Sequence, residues 1–92
     1  MFTACLVFYS FPGEGKRRRF GCTVPKVVGG AVVRNRVKRI LRDCFRRHRN
    51  TFPEGCVLVV NAKRSAAGMS HREATRSFRV VAERLAREGF LL

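Results

Sequence analysis

Two histidines, four cysteines and six carboxylates are the side chains of this 92-residue chain best suited to proton transfer, nucleophilic attack or metal binding. They do not gather. His48 falls inside a basic helical stretch and His71 in what reads as the first turn of another helix. Neither is accompanied by the carboxylate pair or activated nucleophile that acid–base or covalent catalysis requires. His48 sits on an apolar stripe, where a partly buried structural histidine is the simpler reading. Asp43, Glu54 and the other acids are scattered, too few for a two-metal hydrolytic site. Cys5, Cys22, Cys44 and Cys56 show no CxxC and no Cys/His spacing. Each falls in a predicted strand or on the apolar side of a helix, which predicts buried free thiols. No catalytic and no metal-ligating residue is assigned.

The chemistry that the sequence does supply is anion recognition. Twenty Lys and Arg stand against six Asp and Glu, a formal net charge of +14. Lysine occurs only at positions 16, 26, 38 and 63, so arginine carries most of it. The arginine fork grips phosphate through two hydrogen bonds and stacks on bases, whereas solubility alone is better served by mixed signs. A charge excess of this size repels itself in a compact chain and calls for a polyanionic partner.

The elements that must position these cations fit one domain. Phe2–Phe11 is rich in aromatic and small apolar residues and reads as a buried strand. Pro12-Gly13-Glu14-Gly15 reads as a turn, followed by the basic run Lys16–Arg19. A second strand spans Arg19–Val24, with Phe20, Cys22 and Val24 on one face, and the two strands are expected to form a hairpin. From Ala31 to His48 the period becomes helical, Gly30 serving as N-cap. Val33, Val37, Ile40, Leu41, Cys44 and His48 form one stripe. Cys56–Val60 is a continuous apolar run, so the third strand should be central or covered on both faces. Lys63–Met69 reads as loop. Ser70 and Glu73 form a capping box for a helix running to Glu88, which buries Ala74, Phe78, Val81, Ala82 and Leu85 and stops at Gly89. The order ββαβα predicts an α+β domain with helices on a small mixed sheet.

Opposite the first helix's apolar stripe lie Asn35, Arg36, Lys38, Arg39, Arg42 and Arg46, flanked by Arg34 and Arg47. If about six of these cations met phosphate, log affinity would fall with log salt at a slope near −4 to −5. The helix has no Trp and its stripe is needed for the sheet, which argues against a membrane-surface role. No run reaches transmembrane length and residues 2–11 lack a basic leader segment, so a cytoplasmic location is expected.

The segment Gly21–Arg39, GCTVPKVVGGAVVRNRVKR, resembles the signature of bacterial ribonuclease P protein subunits, with Arg34-Asn35-Arg36 at its centre. A weaker similarity runs through Gly55–Ala62 and the final helix, so the resemblance covers nearly the whole chain. Pro25, Val27 and Gly30 stand where that family commonly has Ser, Lys and Asn. The family pattern also begins with a further basic helix, and this sequence starts at what would be the following strand.

That resemblance implies a fold like a ribosomal-protein domain, with a left-handed βαβ crossover. It implies a non-catalytic protein subunit of an endoribonuclease whose active centre, with its Mg2+, belongs to the RNA. The partners implied are that catalytic RNA and precursor tRNA, whose 5′ leader is removed; no cofactor is assigned to the protein and no membrane partner. The RNA-binding residues implied are Lys26, Arg34, Asn35, Arg36, Lys38, Arg39, Arg42 and Arg46. Phe8 matches a leader-contacting aromatic whose ring could stack on an unpaired base, although strand aromatics more often pack in the core. Without the extra helix, apolar parts of Phe2–Phe11 and Cys56–Val60 should lie open. They would invite weak self-association unless the final helix folds over them, with one copy expected in the holoenzyme. Two other classes fit the charge: a structural ribosomal RNA-binding protein, and a DNA-binding module using Ala31–His48. The signature segment separates the first, and the breadth of the cationic arc argues against the second.

Overall fold

The computed structural model describes residues 1–3 and 5–89. Strands β1 (Phe2–Thr3), β2 (Leu6–Pro12) and β3 (Arg19–Thr23) come first, then helix α1 (Ala31–His48), strand β4 (Cys56–Ala62) and helix α2 (His71–Glu88). Short 3-10 turns occupy Lys26–Val28, Arg49–Thr51 and Arg64–Gly68. The domain is α+β with a mixed sheet, and the anticipated first strand is split in two.

Sheet order is β1-β2-β4-β3. The hairpin expected between Phe2–Phe11 and Arg19–Val24 does not form. β4 lies between them, antiparallel to β2 and parallel to β3. The cause is visible in the turn that was to close the hairpin. Its backbone is bonded elsewhere: the Gly13 amide donates to Gly55 O and the Gly55 amide to Lys16 O. Cys56–Ala62, the most continuously apolar strand, takes the centre, where both of its edges are hydrogen-bonded.

Both helices cover one face of this sheet. That face offers Leu6 and Phe8 from β2, Phe20 and Cys22 from β3, and Cys56, Leu58, Val60 and Ala62 from β4. Alternation along the strands does the sorting, since odd and even residues point to opposite sides. Phe8 meets Phe78 of α2 edge to face at 5.2 Å, and Phe20 stacks on Phe45 of α1 at 4.8 Å. Such ring pairs add about 0.5–1.5 kcal/mol each beyond their buried area. From α1, Val37, Ile40, Leu41, Cys44 and Phe45 face inward, so Phe45 joins the predicted stripe, while His48 is only half-buried. His48 Nδ1 lies 2.9 Å from the Cys44 carbonyl oxygen.

α2 begins where its capping residue places it. Ser70 Oγ accepts the Glu73 amide at 3.1 Å and donates to the Glu73 carboxylate at 3.2 Å, so Glu73 bonds the hydroxyl and helps hold the cap in place. It ends at Gly89, whose φ of 69° no β-carbon residue adopts cheaply and whose amide bonds Leu85 O. Contacts of α1 with α2 and the turn before it ascend together, from Arg36–Met69 through Asp43–His71 and Cys44–Thr75 to His48–Phe78. The two helices therefore run in the same direction. The final helix does not cover the other face of the sheet, where Phe2, Tyr9 and Phe11 are exposed and Val57 and Val59 half-buried.

Candidate RNA interface

The α-helical period sets Asn35, Lys38, Arg39, Arg42 and Arg46 along one side of α1. Together with Asp43 and with His71 from the start of α2 they line an open groove of about 600 Å³. Four cations thus face one hollow. Asp43 is its one acidic lining residue, receiving Arg46 at 2.8 Å, Arg47 at 3.2 Å and His71 Nε2 at 3.4 Å. The Arg46 hydrogen bond, outweighing the opposing desolvation and aided by the nearby Arg47 charge, holds the Asp43 carboxyl below its usual range. Asp43 therefore stays ionised, spacing the arginines while subtracting one charge from the groove.

The other residues assigned from the sequence are placed differently. Arg36 turns away from the groove: its Nη2 donates to Met69 O at 2.9 Å and its Nη1 to Ala67 O at 3.5 Å. It ties α1 to the turn that leads into α2. Arg34 is half-buried, and its Nε is buried without a partner among the described residues. Lys26 is exposed in the 3-10 turn ahead of α1 and does not line the groove. In the same segment Val27 is exposed, and Gly30 caps α1 with no side-chain bond.

Phe8 requires correction as a leader contact. It has no exposed surface and packs against Phe78. Strand alternation gives the opposite face to its neighbours Tyr9 and Phe11, exposed by 44% and 51%. The sequence signal was there: an alternating strand with one aromatic facing in must turn the adjacent one out. Which side faced the helices was fixed only by packing.

Sequence reading also missed a second basic hollow of about 440 Å³, lined by Arg47, His71, Arg72, Thr75, Arg76 and Arg79. Arg72, Arg76 and Arg79 stand at i, i+4 and i+7, a spacing that could have shown them as one face of α2. Asp43 and His71 lie where this hollow meets the α1 groove.

Burial pushes the thiols of Cys5, Cys22, Cys44 and Cys56 up, which favours the neutral form over the nucleophilic thiolate. Among the described residues no three His, Cys, Asp or Glu side chains gather to hold a metal ion. No helix among them is long and apolar enough to cross a membrane.

A small α+β domain with both helices on one side of a mixed sheet, a cationic helical groove and an aromatic open face defines a class of compact proteins suited to holding a polyanion. The chain matches the Ribonuclease P family over residues 1–86 and belongs to it. It is 42% identical over 62 residues to a ribonuclease P protein component of Desulforamulus reducens, a match covering 67% of this chain and 55% of that protein. The chain spans about half the length of the curated relatives it matches. Its fold superposes on the RNase P protein of Staphylococcus aureus with a TM-score of 0.80 and 26% identity, covering 99% of this chain and 82% of that one. The Thermotoga maritima RNase P protein shares the fold, with a TM-score of 0.81 at 22% identity over 91% of this chain and 80% of that one.

Proposed function

We propose that this chain works as the protein subunit of ribonuclease P, holding the catalytic RNA on α1 and the single-stranded 5′ leader of precursor tRNA on the open face of the sheet. The observation that carries the proposal is the family match over residues 1–86 joined to the α1 groove, where Lys38, Arg39, Arg42 and Arg46 converge. Guanidinium groups held on a rigid helix can neutralise successive phosphates, and Asn35 beside them can bond a base edge or a 2′-hydroxyl. On the other side of the sheet, Tyr9 and Phe11 offer rings on which unpaired bases stack. The family match favours this role over that of a structural ribosomal protein.

The protein contributes positioning, and bond breaking belongs to the RNA. In this reading Mg2+ would be held by the RNA and would supply Lewis-acid assistance to the hydrolysis there. The chain's own residues bind phosphate, orient the leader and screen the repulsion between two polyanions. Such a complex would work in the cytoplasm, as one protein copy on one RNA.

The test is reconstitution. Purified protein is added to a bacterial ribonuclease P RNA with precursor tRNA at low magnesium, where the RNA alone is slow. Release of the leader at the mature 5′ end, stimulated by the protein, is the expected result. Absence of stimulation at every magnesium concentration, or cleavage by scrupulously RNA-free protein, would overturn the proposal.

A further inference from the structure

At the far end of α1 from the Arg34-Asn35-Arg36 triplet lies a separate cationic hollow of about 520 Å³. Arg17, Arg18, Arg19, Phe20, Phe45 and Arg49 line it. It joins three parts of the chain: the turn after β2, the start of β3 and the C-cap of α1. No acidic side chain lines it, and no ion pair found among the described residues involves its arginines.

The hollow is built rather than loose. The turn carrying Arg17 and Arg18 is stapled to the turn before β4 by Gly13 N–H to Gly55 O at 2.8 Å and Gly55 N–H to Lys16 O at 3.2 Å. Gly55 sits at φ 78°, and a β-carbon there would stand 2.7 Å from Gly15 O, so the two turns fit only with glycine. Arg18 is pinned by its Nε bond to Phe52 O at 2.8 Å. Its neighbours Arg17 and Arg19, and Arg49 across the hollow, are exposed. The stacked rings of Phe20 and Phe45 lie beneath. Like charges held together by backbone bonds, with no counter-charge, cost stability until an anion arrives.

Register connects this corner to the open face. Phe11 of β2, Val57 of β4 and Arg19 of β3 are cross-strand partners in one row. In the next row Tyr9 and Val59 are followed by Gly21, where space is open. A strand lying across the rings thus has an unobstructed path to the β3 edge and meets Arg19 as it leaves.

We propose that the Arg17–Arg19–Arg49 corner is a phosphate-binding site for single-stranded RNA, taking the backbone of nucleotides that have passed over Tyr9 and Phe11. This rests on the leader-binding role proposed above and extends it, lengthening the bound strand beyond the aromatic rows. Single-stranded RNA is the partner that fits, because the rings need unstacked bases and the corner needs phosphates.

The experiment measures affinity of the whole chain for a short oligouridylate of about five nucleotides and a long one of about twelve, across a salt series. The test variant replaces Arg17, Arg19 and Arg49 with Ala, leaving the pinned Arg18 in place. A second replaces the same three with Lys. A third, with the same charge loss, replaces Arg72, Arg76 and Arg79 with Ala. The expected result is a salt slope shallower by about 2 for the long oligonucleotide in the test variant, three contacts at roughly 0.7 each, with the short one unchanged. The Lys variant restores the slope, and the α2 variant leaves the difference between long and short intact. Equal loss on both lengths, an equal effect from the α2 variant, or identical dependence on the three arginines with polyglutamate would each overturn the site. Tyr9→Ala and Phe11→Ala report separately on the open face. If they leave short-oligonucleotide binding untouched, the leader-binding role fails, while the long-oligonucleotide comparison still judges the corner.

Discussion

Arg36 closes the Arg34-Asn35-Arg36 triplet and by sequence is a phosphate ligand, yet its guanidinium is spent on two carbonyl oxygens of the turn before α2. Replacing it separates the two roles. Hydrogen bonds from charged donors contribute about 1.5–3 kcal/mol when well formed. Here one bond is short at 2.9 Å, the other long at 3.5 Å, and the side chain is exposed. About 1.5 kcal/mol is therefore reasonable for Arg36→Ala, with little helix-propensity change to offset it. For a domain of this size that lowers Tm by roughly 6–12 °C. Arg42→Ala, from the groove, should leave Tm nearly unchanged and make the salt slope for RNA binding shallower by about 0.7–0.9. With four groove cations rather than six, the wild-type slope from α1 should itself be near −3 to −4. Thermal melting by circular dichroism and a filter-binding salt series measure both quantities on the same preparations. An Arg36→Ala protein that melts like wild type and loses about one unit of slope would refute the tether and return Arg36 to the phosphate contacts.

Phe8→Ala should cost about 3–5 kcal/mol by opening a cavity against Phe78, read by denaturant unfolding, whereas Tyr9→Ala and Phe11→Ala should leave folding intact. Each of the latter two should weaken single-stranded RNA binding by about 1–3 kcal/mol per lost stacking contact, read by fluorescence anisotropy. Because the Asp43 carboxyl is held below its ordinary value of 3.8, its contribution to stability is present above that pH and fades as pH falls through the depressed folded value. Asp43→Asn should flatten that part of the acid-unfolding curve and, by removing the groove's negative charge, tighten RNA binding at neutral pH; weaker binding would show that Asp43 positions its arginines more than it repels phosphate. The exposed rings of Phe2, Tyr9 and Phe11 should give weak self-association that grows with salt as the +14 charge is screened. Sedimentation showing a strict monomer from low to high salt would count against it.

Much of this molecule was legible in the chain. Helical periodicity fixed α1 and α2, because an apolar stripe at 3.6-residue spacing has one way to be buried. Ser70 and Gly89 marked the ends of α2, since capping is local chemistry. The charge excess pointed to a polyanion, and the Gly21–Arg39 signature to the family that the match over residues 1–86 shows. What the chain left open were the non-local choices. β4 entered between β2 and β3 because strand pairing is decided by which edges can be buried and bonded together, a competition that sequence neighbours do not reveal. That choice also selected which side of β2 faces the helices, burying Phe8 and exposing Tyr9 and Phe11. Tertiary packing likewise drew Arg36 onto the turn before α2 and brought Arg17, Arg19 and Arg49 together from segments some thirty residues apart. A sequence states which side chains carry charge; only the fold decides which of them a carbonyl has already claimed and which stay exposed to meet an anion.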